Sequence, residues 1–223
     1  MKKYSVFFLG LILLPVMILA QNNEQSAVVT TSKGITISPA EFKAYYEDYK
    51  QKIKNLKSDD WYFNLSDKIT AAKELALQKI ILNEAKKNKI EQTEYFRILK
   101  PEMEKAFQEI DQRANREKLS HETVALIKEK IKNGLLCKAY LNKEIEPYIQ
   151  VTDSDIDNFL TAHQGTYALK RTKKNSKAQI IQRDILTQMI QSEKRSRVAK
   201  EIAQTLFKEY DVKVNENMLK NIE

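Results

Sequence analysis

The sequence predicts a mostly helical protein whose small β-sheet pairs an N-terminal hairpin with a C-terminal strand. Only four Gly and four Pro occur in 223 residues, and 30% of the residues are charged, a composition typical of long helices. Apolar residues recur at helical spacing through most of the chain. Short β-branched runs occur near its two ends, and strands this short are stable only when they pair.

The first twenty residues have the layout of a secretory signal peptide. Lys2 and Lys3 precede a nearly unbroken apolar run that reaches Leu19, and Ala20 is a small residue at the expected cleavage point. The run is shorter than the roughly 20 residues that cross a bilayer, although an uncleaved anchor stays open. We therefore expect a signal peptide over 1–20, a polar linker over 21–26 and a folded region over 27–223.

A hairpin is predicted at 27–37, because two β-branched runs flank Gly34, which permits the positive φ of a tight turn. The following Ser38, Pro39 and Glu41 form a strong helix start, in which Ser caps and Glu reaches back to the cap amide.

Further helices are predicted from caps and breakers. The expected ranges are 66–87 with Asn88 as a left-handed C-cap, 93–117 kinked or broken at Pro101, 120–146 ended by Pro147, 152–162 opened by Thr152 and ended by Gly165, and 178–209. A basic loop is expected at 170–177 and a strand at 212–214.

Catalytic, metal and cofactor sites are not predicted. His121 and His163 lie among polar residues at helix ends, and the single Cys137 is expected to be a small buried apolar residue. The alternating Asp153, Asp155 and Asp157 lack the Gly and Glu of a calcium loop. The chain also lacks a Gly-rich phosphate loop, so we expect neither an enzyme nor a cofactor.

The net charge is +8, but most basic residues alternate with Glu along the helices. Such a pattern is typical of solvated helix faces. Together with export, it makes a nucleic-acid partner unexpected.

Three segments, in this order, carry a family resemblance. They are "TSKGITISPAEFKAYY", "ELALQKIILNEAKKNKIEQTEYF" and "VTDSDIDNFLTAHQGTY". Their order resembles the SurA/PrsA-type extracytoplasmic chaperones, whose core module resembles that of trigger factor. The resemblance covers nearly all of 27–223 and implies a discontinuous chaperone domain closed by the C-terminal helix and strand at 178–215. Many family members insert a parvulin prolyl-isomerase domain where this chain has only residues 168–177, too few for a domain.

The resemblance implies an ATP-independent holdase without isomerase activity. Its partners would be unfolded or nascent exported polypeptides in the periplasm or another extracytoplasmic space, with a role in outer-membrane biogenesis. Stable membrane insertion is not expected after signal cleavage, and a homodimer stays open. The alternative is a structural or adhesive cell-envelope protein that binds one folded partner.

Aromatic residues supply the candidate client-binding surface, because a chaperone needs exposed, adaptable apolar side chains. One group lies at the first two helices and consists of Tyr45, Tyr46, Tyr49, Trp61, Tyr62 and Phe63. These residues could equally close the core between those helices. A second group, on the helix that contains Pro101, would form the opposite wall and consists of Phe96, Met103 and Phe107.

Overall fold

The computed structural model describes residues 26–56, 62–163 and 177–222. It is mostly helical with one three-stranded sheet, which confirms the predicted fold class. The helices are α1 (Pro39–Leu56), α2 (Leu65–Lys87), α3 (Glu94–Arg97), α4 (Lys100–Glu117), α5 (His121–Ile145), α6 (Asp153–Ala162), α7 (Lys177–Glu209) and α8 (Glu216–Lys220). The predicted signal peptide, the linker up to residue 25, Trp61, Gly165 and the loop at 170–176 lie outside the described residues.

The sheet joins the two ends of the folded chain. Strand β1 (Val29–Thr30) pairs antiparallel with both β2 (Thr36–Ile37) and β3 (Lys213–Val214), in the order β2-β1-β3. Gly34 has a φ of 79° in the hairpin turn, as predicted. The pairing of the N-terminal hairpin with the C-terminal strand is therefore confirmed.

The described chain forms two compact units. The first contains the residues up to Tyr140 and those from Leu206 onward, and the second contains Leu141–Thr205. Helices α5 and α7 each contribute residues to both units. The sequence predicted a single chaperone module over 27–223, and that functional assignment stays a prediction.

The core of the first unit lies between the sheet, α1, α2 and α8. Its buried members are Val28, Val29, Ile37, Phe42, Tyr46, Tyr49, Ala71, Ala72, Leu75, Ala76 and Leu219. Helix α8, which the sequence pattern did not predict, buries Leu219 completely. The second unit has two smaller clusters, one of which is formed by Ile156, Phe159, Leu186 and Ile190 and the other by Ile145, Ile149 and Val198.

Two predicted helix starts take the expected form in their main hydrogen bonds. The amide of Glu41 donates to Ser38 Oγ at 3.2 Å, although the Glu41 carboxylate binds Lys79 Nζ at 2.8 Å. At α6, Thr152 and Asp155 form a reciprocal capping box.

Two local predictions were wrong in detail. Asn88 is not left-handed, since its φ is −82°, and the left-handed residue is Lys89 with a φ of 50°. The side-chain amide of Asn88 instead donates to Glu84 O at 2.8 Å, which satisfies a helix-end carbonyl. The segment 93–117 is divided into α3 and α4, with Pro101 in the first turn of α4, where a missing N–H is tolerated.

Candidate functional site

Most of the first aromatic group belongs to the core. Tyr46 and Tyr49 are 2% and 8% exposed, and the ring of Tyr46 stacks on Phe42 at a centroid distance of 5.4 Å. Phe63 is half-buried and meets Tyr46 edge-on at 6.2 Å. These three candidates close the core, so they do not offer an open surface. By contrast, Tyr62 is 84% exposed.

Tyr45 lies at the edge of this core. It is half-buried, its hydroxyl donates to Glu74 Oε2 at 3.2 Å, and it accepts from Gln78 Nε2 at 3.3 Å. Burial, followed by the negative charge of Glu74, raises the pKa of Tyr45 far above its usual value. Tyr45 therefore stays protonated and presents its ring edge at the surface between α1 and α2.

The second aromatic group is divided by the break before α4. Phe96 is only 1% exposed and lies in the core, so it does not line a surface. Met103 and Phe107 are half-buried on α4. Of the predicted opposite wall, two side chains remain accessible.

Helix α4 buries little of its surface. Ile110 is the only buried residue among its 18. Its apolar residues follow one stripe at helical spacing, and they are Met103, Ala106, Phe107, Ile110 and Ala114. An amphipathic helix with so little burial leaves an accessible apolar stripe.

Ion pairs hold α4 antiparallel to α5. Lys138 Nζ lies 2.7 Å from Glu102 Oε2, and Lys128 Nζ lies 2.7 Å from Asp111 Oδ1. The same Lys128 lies 5.4 Å from the ring centroid of Phe107, a weak cation–π contact. Each pair is solvent-exposed and stabilises only modestly, so α4 is held beside α5 mainly by its edges.

Another face of α5 lies against α1 and α2. The thiol of Cys137 donates to Gln78 O at 3.9 Å. Burial raises the pKa of Asp48 on α1, and the charges of Lys130 on α5 and Lys52 on α1 partly offset that rise. Helix α5 is therefore the element that has α1 and α2 on one side and α4 on the other.

Gly134 lies in the middle of α5, and the sequence pattern did not single it out. A Cβ built at Gly134 would have no neighbouring atom within 4 Å. Glycine inside a helix costs about 1 kcal/mol relative to alanine, so an isolated glycine in a long helical pattern was the available signal. The open space shows that close packing in the described structure does not require glycine here.

The chemistry of the described residues offers little for catalysis. Burial raises the pKa of Cys137 to about 11, so the thiol is protonated near neutral pH. His163 stacks on Phe159 at 4.2 Å, and its Nδ1 lies 2.8 Å from Phe159 O. Within the described ranges, no three His, Cys, Asp or Glu side chains are grouped so as to hold a metal ion.

The second unit has a shallow depression of about 380 Å³ between α6 and α7. Its floor contains Phe159 and Ile190, and its rim contains Asp155, which pairs with Lys194 at 2.8 Å. That ion pair is already satisfied, so the depression presents no convergent catalytic groups. In the part of the chain that the structure describes, no helix combines the length and apolar character needed to cross a membrane.

Comparisons with known proteins add no assignment, since no family model, curated protein or solved structure matches the chain. The resemblance to the SurA/PrsA-type chaperones therefore rests on the sequence segments quoted above and stays a prediction.

Proposed function

We propose that this protein is an exported, ATP-independent chaperone that holds unfolded envelope or secreted polypeptides in an extracytoplasmic compartment. The observation that carries the proposal is the accessible apolar stripe of α4, in which Met103 and Phe107 are half-buried. Thioether and aromatic side chains adapt to varied apolar partners, which suits binding to many sequences. The order of the family-like segments supports the same function.

The setting of the stripe favours weak and reversible binding. Ion pairs from Lys128 and Lys138 border it and keep the surrounding surface polar. Contacts on a half-buried stripe compete with the entropy lost on ordering a flexible client, so roughly micromolar affinity and fast exchange are expected.

Aggregation suppression tests the proposal. The wild-type chain should slow the aggregation of several unrelated denatured proteins in the absence of ATP, and Met103→Ser with Phe107→Ser should weaken this effect severalfold. Tyr62→Ser serves as the matched control, because Tyr62 is an exposed aromatic residue outside α4. Thermal melts should show that all variants remain folded. If the wild-type chain suppresses no aggregation but binds one folded envelope protein, the proposal fails and the adhesive alternative replaces it.

Two further parts of the proposal have simple tests. Export with signal cleavage should yield a mature protein whose first residue is Gln21, which N-terminal sequencing of the extracytoplasmic fraction determines. Prolyl isomerisation of a proline peptide should proceed at its uncatalysed rate, with a time constant of roughly tens to hundreds of seconds. A clear acceleration would contradict the proposed absence of isomerase activity.

A further inference from the structure

Gly134 faces a gap between two sides of α5. With 3.6 residues per turn, Gly134 points about 60° from Cys137 and about 40° from Lys138, in the sector between them. Cys137 contacts Gln78 on α2, and Lys138 pairs with Glu102 on α4. The direction of Gly134 therefore lies between the α1–α2 side and the α4 side, and no described atom lies within 4 Å of the place that a Cβ would take there.

The two sides of this gap carry accessible apolar and aromatic groups. On the α1–α2 side, half-buried Tyr45 accepts a hydrogen bond from the side chain of Gln78, whose carbonyl also receives the Cys137 thiol. On the α4 side lie half-buried Met103 and Phe107. We call this surface, with Gly134 at its base, the Gly134 groove.

The charges beside the groove are of both signs. Glu102 pairs with Lys138 and Asp111 with Lys128, each at 2.7 Å. Asp48 on α1 lies within the electrostatic influence of Lys130. Since acidic and basic groups face each other along both sides, the groove complements an uncharged apolar segment better than a polyanion or a polycation.

We propose that the Gly134 groove binds an extended apolar segment of an unfolded polypeptide, with the main chain of that segment lying against α5 at Gly134. This inference rests on the proposed chaperone function and assigns the place where a client is held. Glycine serves such a site because the absence of a side chain lets another backbone approach the helix closely.

The test fills the open space. Gly134→Trp places a large side chain in the groove, and Ala125→Trp is the matched control, because Ala125 is exposed on the opposite face of α5. The probe is fluorescein-labelled α-lactalbumin that has been reduced and carboxymethylated, so that it stays unfolded and has no thiol. Fluorescence anisotropy should show at least tenfold weaker binding for Gly134→Trp and a change within twofold for Ala125→Trp. The melting temperature of Gly134→Trp should not fall, since the side chain enters open space.

A second measurement uses the unaltered chain, so it does not depend on how Gly134→Trp folds. Cys137 is the only cysteine and lies one turn from Gly134. Saturating probe should slow the reaction of Cys137 with a maleimide at least threefold, as followed by mass spectrometry. An unchanged labelling rate would overturn the inference.

The outcomes separate the groove from the function. If the wild-type chain does not bind the probe, the proposed chaperone function fails. If the wild-type chain binds the probe and Gly134→Trp binds it equally well, the function stands and the groove assignment is wrong. If Gly134→Trp instead abolishes self-association in sedimentation experiments without weakening probe binding, the occupant is a second copy of this chain, which also overturns the proposal.

Discussion

A single buried carboxylate joins distant parts of the first unit. Glu84 on α2 is 8% exposed, and the Tyr210 hydroxyl donates to its Oε1 at 2.6 Å. Asn83 Nδ2 donates to the same hydroxyl at 2.9 Å, and Lys33 lies 4.1 Å from the centre of the Tyr210 ring. Tyr210 thereby ties the end of α7 to both α2 and the hairpin turn.

Removing this hydroxyl should destabilise the first unit. Tyr210→Phe leaves the buried Glu84 carboxylate without its shortest hydrogen bond, which we expect to cost about 1–3 kcal/mol of unfolding free energy. Urea denaturation measures the loss. Tyr62→Phe should change the unfolding free energy by less than about 0.5 kcal/mol, because Tyr62 is almost fully exposed. Equal stability of Tyr210→Phe and wild type would show that the hydrogen bond contributes nothing net.

Asp155 should make the second unit sensitive to acid. The hydrogen bond from Lys194, followed by those from Thr152, holds the pKa of Asp155 well below its usual value of about 3.9. Since the folded-state pKa is the lower one, the stabilisation is present above about pH 4 and is lost as the pH falls towards that lowered value.

Melting temperatures of wild type and Asp155→Asn between pH 7 and pH 2 test this prediction. The variant should melt lower at pH 7, and the difference should shrink at the acid end. Asp157→Asn, on the same helix, should show a smaller difference. A gap between wild type and Asp155→Asn that is constant with pH would contradict the electrostatic origin.

Sequence patterns predict residue-level contacts when the partners are close in the chain. The Thr152–Asp155 capping box was predicted because its members are three residues apart. The Glu84–Tyr210 bond joins residues 126 positions apart, so no local pattern could reveal it. Helical spacing selected Tyr45, Tyr46 and Tyr49 together, but it could not say which of them faces the core.

Among elements, the C-terminal strand and helix close the core. Strand β3 covers one edge of β1, and α8 buries Leu219 against the α1–α2 core. Lys68 on α2 donates to the main-chain oxygens of Leu219 and Ile222, which stabilises the carbonyl end of α8. These contacts make the last eleven described residues part of the N-terminal fold.

Deleting residues 212–223 should therefore loosen the N-terminal hairpin. The truncation exposes one edge of β1 and opens a cavity where Leu219 was buried, a loss of about 2–5 kcal/mol for the leucine alone. Amide hydrogen exchange in residues 28–50 should become markedly faster, whereas exchange in α6 should not change. Unchanged protection of residues 28–50 would contradict a role for β3 and α8 in stabilising the sheet.

The length of an element decided how well it was predicted. The long helices and the position of the C-terminal strand follow from periodicity and from caps such as Ser120, whose Oγ accepts from the Thr123 amide at 3.2 Å. Helix α8 has five residues, too few to establish a period, although Asn215 was a readable N-cap. Pro101 predicted the division of α3 from α4, but not that Phe96 would lie inside and Met103 at the surface.

At the scale of the whole molecule, the chain has more than one core. The sequence predicted one discontinuous module, and its apolar periodicity continues through α5 and α7 without a Gly- or Pro-rich linker. The structure shows that each unit buries its own cluster, with Phe42 and Leu75 in the first and Phe159 and Ile190 in the second. Periodicity reports that a helix face is apolar, but it does not report which cluster that face joins.

Separate cores should give separate local stabilities. Ile190 is 5% exposed in the second unit, so Ile190→Ala should remove about 2–5 kcal/mol from the cluster that holds α6 against α7. Amide exchange in α6 should accelerate accordingly, while residues 28–37 of the first unit keep wild-type protection. Phe42→Ala in the first unit is the reciprocal control, and it should accelerate exchange in residues 28–37 and leave α6 unchanged. If either substitution accelerated exchange equally in both places, the two units would unfold as one cooperative body, and apolar contacts within each unit would not be what sets its local stability.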